Sequence, residues 1–155
     1  MNKLLLWLWR VLPLPNQVQS VLMWLVNRKL VVGTSALILN QHSEVLLFKH
    51  SYRIDTPWGF PGGYLKKRED PADTIQREIL EESGLHIRII KLLEVVQSPH
   101  AFRLEILYLA ELMGDGLNFK PSVEVCDARF FSLDRLPKLL PEHDAAIERY
   151  LRMEE

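Results

Sequence analysis

Between residues 77 and 84 the chain carries three carboxylates, Glu78, Glu81 and Glu82, in the C-terminal half of what reads as one short helix. Offsets of three and four bring them to one face of a 3.6-residue turn. There they repel one another. They also crowd the C-terminal half of the helix, where the backbone dipole favours cations. Each effect costs roughly 0.3–1 kcal/mol, and Arg77 offsets only part of that. A local rule broken without visible compensation suggests function, and the simplest compensation is a bound divalent cation. Ligands that are all oxygen suit a hard ion, Mg²⁺ or Mn²⁺. Such an ion commonly keeps several waters and shares its shell with phosphates. The chemistry that follows is metal-assisted attack of water on a phosphoanhydride. A solvated acidic helix face is the plainer reading of Glu-x-x-Glu-Glu taken alone.

The wider spacing shifts that balance. Residues 63–85 read GYLKKREDPADTIQREILEESGL, with Gly63, Glu69, Arg77, Glu78, Ile79, Glu81, Glu82, Gly84 and Leu85 at set intervals. The stretch resembles the Nudix box: Gly, five residues, Glu, seven residues, Arg-Glu, apolar, any, Glu-Glu, any, Gly, apolar. All nine specified positions are filled. Trp58-Gly59-Phe60-Pro61-Gly62 resembles the family's run into the box. The resemblance covers roughly residues 31–140 and implies an α/β fold, the Nudix α/β/α sandwich with a mixed sheet. It implies hydrolysis of a nucleoside diphosphate linked to another moiety: a nucleoside triphosphate, ADP-ribose or a nucleotide sugar. By the same resemblance Glu81 and Glu82 are the main metal ligands. Glu78 is a third ligand or a water-orienting base, and the Gly62 carbonyl is a backbone ligand. Glu69 and Arg77 match a pair that steadies the glutamates. The general base lies outside the box in many members, and Glu105, Glu124 and Asp127 are its candidates. Glu124 is preferred, because the family often has a further acid shortly before the last strand.

Substrate choice lies outside the box. Lys66, Arg53, Phe102 and Arg103 are the expected substrate contacts, with Tyr52, Trp58 and His100 as further candidates for a base. Pro99 stands fifteen residues after Gly84, near where ADP-ribose pyrophosphatases of the family often have Ser-Pro-Gly. Here His100 replaces the glycine. A proline that ends a strand is the plainer reading. Two other functions fit the same residues. One is a nucleotide-sensing module without turnover. The other is a membrane-surface hydrolase of a lipid-linked diphosphate.

These residues need a scaffold. Val31–Leu39 and Glu44–Lys49 read as strands joined in a hairpin across a polar turn. Residues 59–64 are a tight stretch bounded by glycines. The helix over 71–83 has Asp70 as N-cap, Pro71 in its first turn and Gly84 as its stop. Ala72, Ile75 and Ile79 form its expected buried stripe. His86–Gln97, Phe102–Leu112 and Ala128–Leu133 read as strands. Glu142–Met153 reads as an amphipathic helix with Ala146, Ile147, Tyr150 and Leu151 inward.

The chain has 155 residues, 48% of them hydrophobic and 25% charged, with formal net charge −1. That balance fits one globular domain. It excludes binding of nucleic acid by bulk positive charge. The lone Cys126 excludes an intrachain disulfide and a cysteine zinc cluster, and it reads as a small apolar filler. Residues 1–30 read as an apolar helical extension, and 31–155 as the Nudix domain. The apolar runs Leu4–Trp9 and Val21–Val26 are too short to span a bilayer. Pro13 and Pro15 separate them, giving helices over 2–12 and 16–27. Arg10 cuts the first run short and no small-x-small site follows, so a cytoplasmic location is expected. Two occupants suit the apolar helices. One is the main domain or a second subunit, as in a homodimer. The other is a membrane surface, with Lys3, Arg10, Arg28 and Lys29 facing anionic lipid.

Overall fold

Val31–Ile38 (β1) and Val45–His50 (β2) are mostly apolar, and both faces of each are buried over Gly33–Ile38 and Val45–Phe48. Their side chains alternate between two cores. Ala36, Ile38, Leu46 and Phe48 enter one, with Ile75 and Ile79. Leu37, Val45 and Leu47 enter the other, with Ala146 and Ile147. The structure, a computed structural model, describes residues 15–27, 29–97, 102–114 and 116–154. The chain divides into two compact units, Met1–Leu30 and Val31–Glu155.

The larger unit adds β3 (Trp58–Gly59), β4 (Gly62–Tyr64), β5 (Ile87–Gln97), β6 (Arg103–Leu112) and β7 (Val125–Phe131). One sheet is mixed, ordered β4-β1-β6-β5, with β1 parallel to β6. The other is antiparallel, ordered β3-β2-β7. The helix Pro71–Ser83 contributes to the first core and the helix Pro141–Glu154 to the second. The result is the α/β/α sandwich with mixed sheet that the sequence led us to expect.

Several local expectations change. β1 and β2 do not form a hairpin ladder. They belong to different sheets, with the isolated bridge Leu39–Val45 between them. Asn40 still closes the turn, its Oδ1 accepting from His42 N and Glu44 N at 2.9 Å each. The strands then diverge, because β1 pairs with β4 and β6 instead. The glycine stretch contains two short strands, β3 and β4. The last strand starts at Val125, three residues earlier than expected. Cys126 is not a core filler. Lys49 pairs with Asp127 and His50 with Val125, so Cys126 is the extra residue of a bulge and is exposed. Leu151 is also exposed, while Ala146 and Ile147 are buried as expected.

The smaller unit contains a helix over Asn16–Val26, preceded by Pro15 and ended by Asn27, whose N–H and Nδ2 both reach the Met23 carbonyl. None of its residues is buried. The helix expected over 2–12 lies outside the described residues. We number the helices α1 (Asn16–Val26), α2 (Pro71–Ser83) and α3 (Pro141–Glu154).

Candidate active site

Helix α2 fixes the acidic cluster. Asp70 Oδ1 accepts from Ala72 N at 2.9 Å at its start. Gly84, at φ 68°, closes its end, with Gly84 N donating to the Leu80 carbonyl. Ile75 and Ile79 are fully buried, which locks the rotation of the helix about its axis. Each such side chain contributes roughly 1.5–3 kcal/mol. The carboxylates therefore face away from the core.

Arg77 organises them. Its Nε donates to Glu69 Oε1 at 2.6 Å and its Nη2 to Glu69 Oε2 at 2.9 Å. Its Nη1 donates to Glu78 Oε1 at 2.8 Å and to Glu81 Oε2 at 3.0 Å. Thr74 Oγ1 adds a bond to Glu69 Oε2 at 2.9 Å. The Arg77 bonds hold the Glu69 carboxyl down at about 2, and Glu69 in turn raises Arg77 above its ordinary value. Gly63 in β4 leaves room for Glu78, whose carboxyl carbon would collide with any Cβ there.

Glu82 stands apart from this network. Its Oε2 is buried without a hydrogen-bond partner. Burial first, then the charges of Glu78 and Glu124, push its carboxyl up to about 7, while Arg53 opposes the shift. Among the described residues no three acid, histidine or cysteine side chains already converge as a metal-holding group. The donor set nonetheless fits a hard divalent cation. An unpartnered carboxylate oxygen, crowded by like charges, is what such an ion would relieve.

A cavity of about 120 Å³ opens beside this cluster, lined by Arg53, Gly62, Gly63, Arg103 and His143 among others. Thr34 Oγ1, Arg53 Nη1 and His143 Nδ1 are buried along it without hydrogen-bond partners. His143 stacks on Phe60 with ring centroids 4.6 Å apart. Burial, reinforced by Arg53, lowers the His143 imidazole to about 3 and His50 to about 4, so both are neutral near pH 7. A second, more apolar chamber of about 450 Å³ shares Phe60, Arg103, Glu105 and His143 with the first. It runs on between β5, β6 and α3 to the Glu94–Arg149 ion pair (2.7 Å). An anionic group thus has a polar cavity, and an attached ring has an adjoining apolar chamber.

This geometry accompanies a family match. The NUDIX domain family matches residues 29–152. The chain belongs to the NUDIX family. It is 31% identical over 123 residues to an ADP-ribose pyrophosphatase of Methanocaldococcus jannaschii, covering 74% of this chain and 70% of that protein. It is 27% identical over 103 residues to an NAD-capped RNA hydrolase of Pectobacterium carotovorum, covering 66% of this chain and 39% of that protein. A NUDIX hydrolase structure from Nitrosomonas europaea has the same fold, with TM-score 0.71 at 24% identity over 81% of this chain and 72% of that one. By its family and relatives the chain is a Nudix hydrolase of the pyrophosphatase type.

In this Nudix hydrolase the expected site residues fall into four groups. Arg53, Arg103 and Gly62 line the polar cavity, and Glu78, Glu81, Glu82 and Arg77 lie together on α2 beside it. Glu124 is near enough to Glu82 to raise its carboxyl, and its carbonyl accepts from Ser51 N at 2.8 Å, beside the loop that carries Arg53. Lys66 and Phe102 line neither cavity. Lys66 Nζ lies 3.8 Å from Glu81 Oε2 at the surface, and Phe102 is exposed. Of the other base candidates, Glu105 faces the cavities, while Asp127 pairs with Arg129 at 2.7 Å. Pro99 and His100 lie outside the described residues. Sequence reasoning missed His50 and His143. Only their apolar neighbours hinted at burial, and no spacing linked them to residues 63–85.

Proposed function

We propose that this Nudix hydrolase cleaves the phosphoanhydride of a nucleoside diphosphate linked to another moiety, with Mg²⁺ or Mn²⁺ as cofactor. The observation that carries the reading is the buried, unpartnered Glu82 Oε2 within a carboxylate cluster, near enough to Arg53 of the polar cavity to feel its charge. Glu78, Glu81 and Glu82, with the Gly62 carbonyl, would hold the ion. Bound there, a divalent cation neutralises diphosphate oxygens and lowers the pKa of an attacking water.

The chain's own side chains do the rest. Arg77 and Glu69 orient Glu78 and Glu81. Arg53 and Arg103 bind phosphate oxygens as charge-assisted donors. Glu124 accepts the proton of the attacking water at its carboxylate. The apolar chamber takes the moiety on the far side of the diphosphate, against Phe60 and Leu107. ADP-ribose is the favoured substrate among the three classes. It is what the archaeal relative acts on by name, and its diphosphate and an attached ring match a polar cavity and an adjoining apolar chamber.

The test is turnover of ADP-ribose, nucleoside triphosphates and nucleotide sugars with Mg²⁺ or Mn²⁺, read as phosphate or monophosphate release. Wild type is expected to turn over at least one class. Glu82→Gln is expected to lose at least about 100-fold in rate while its circular dichroism stays native. Tight binding of one compound without turnover would favour the nucleotide-sensing alternative.

A further inference from the structure

The first 30 residues differ in charge from the rest of the chain. They hold four of its 19 basic residues, Lys3, Arg10, Arg28 and Lys29, and none of its 20 acidic ones. The first acid in the chain is Glu44. The remainder is therefore net acidic, and an anionic surface would attract the extension while repelling the body. Three of the four tryptophans, Trp7, Trp9 and Trp24, also fall here.

Helix α1 adds a second constraint. Val21 to Val26 are six consecutive apolar residues. At 3.6 residues per turn they wind about one and two-thirds times around the axis, so this half of the helix has no polar face. A flat protein partner covers one stripe of a helix and leaves the opposite side wet. Here Val21, Met23, Trp24, Leu25 and Val26 are all exposed, Trp24 at 63%. Fluid acyl chains surround a helix from several sides, which a rigid partner does not. The polar residues Asn16, Gln17, Gln19 and Ser20 gather at the other end. At the apolar end, Lys29 Nζ lies 4.2 Å from the Trp24 ring centroid. That places a cation at an aromatic ring, the pairing suited to a head-group layer. Eleven residues rise about 16 Å, roughly half the hydrocarbon thickness. Among the described residues no helix is long and apolar enough to cross a membrane.

We infer that residues 1–30 dock on an anionic lipid bilayer, with the Val21–Val26 half of α1 sunk into one leaflet, Lys29 at the phosphate level and the basic charge of the segment drawn to the lipid phosphates. This holds the hydrolase domain at a membrane surface whatever its substrate.

The test uses the full chain and needs no enzymatic readout. Protein is mixed with vesicles of phosphatidylcholine alone or with 30% phosphatidylglycerol (about one lipid in three), then floated through a density gradient. Expected is binding at least about tenfold tighter to the anionic vesicles, weakened by raising salt, with a blue shift of tryptophan emission. Leu22→Glu with Leu25→Glu is expected to abolish both signals. Arg28→Glu with Lys29→Glu is expected to abolish the anionic preference, and neither pair alters a residue of the catalytic cluster. Absence of flotation, or equal binding to both vesicle types, would overturn the inference. So would a dimer by light scattering that the leucine pair dissociates while vesicles bind nothing, since a second copy would then be the occupant.

Discussion

Gly63 and Glu78 share one volume. Any Cβ at residue 63 would meet the Glu78 carboxyl group, while the backbone there stays in ordinary β4 pairing with Thr34. Gly63→Ala should therefore displace Glu78 more than it disturbs the fold. The expected result is a loss of kcat/KM of at least about tenfold, with a melting temperature within about 3 °C of wild type. Steady-state kinetics and a thermal melt separate the two effects. The histidines give a pH dependence. His143 and His50 titrate at about 3 and about 4 in the folded chain, and near 6.5 when unfolded. Between these values the unfolded chain binds more protons, so stability is full above pH 6.5 and falls on acidification. The slope approaches about 1.4 kcal/mol per pH unit for each histidine. His143→Asn should flatten it in urea titrations between pH 6 and pH 4. An unchanged slope would mean that His143 is accessible to protons in the folded state.

At the scale of elements, α2 was the most legible part of the chain. Its cap, its first-turn proline, its stop and its Ile75 and Ile79 stripe are all local signals, and each acts within one or two turns. Asp70→Ala should cost about 1 kcal/mol, because Ala72 N loses its acceptor. Chemical denaturation would measure it as a lower midpoint with unchanged slope. The strands were less legible. β1 and β2 were found, but their pairing was not, because a two-faced apolar strand carries no alternation to say which neighbour it takes. β3 and β4 have two and three residues and were hidden by their glycines. The bulge at Cys126 shifted the start of β7, since an extra residue breaks the period on which the reading depends.

For the whole molecule, both cores are built from residues after Val31. Removal of residues 1–28 should leave a folded domain with its melting temperature within about 3 °C of the full chain, because among the described residues every core side chain is retained. Turnover of a soluble substrate should be retained within about twofold, and vesicle binding should disappear. A truncated chain that fails to fold, judged by circular dichroism, would show that the extension carries stability in ways the two cores do not reveal.

Sequence alone determined the family, the acidic cluster with its arginine, and the helix that presents them. These depend on spacings within 23 contiguous residues, where helix geometry converts intervals directly into positions. It also exposed the acid-free, tryptophan-rich first 30 residues. Only the tertiary structure decided what faces that cluster. Arg53, Arg103, Glu105, His50 and His143 come from β2, a loop, β6 and α3, and strand pairing and helix packing bring them to one cavity. Such contacts depend on which strands pair, not on any interval along the chain. The same packing buries the Glu82 carboxylate oxygen and leaves Lys66 and Phe102 outside the cavities.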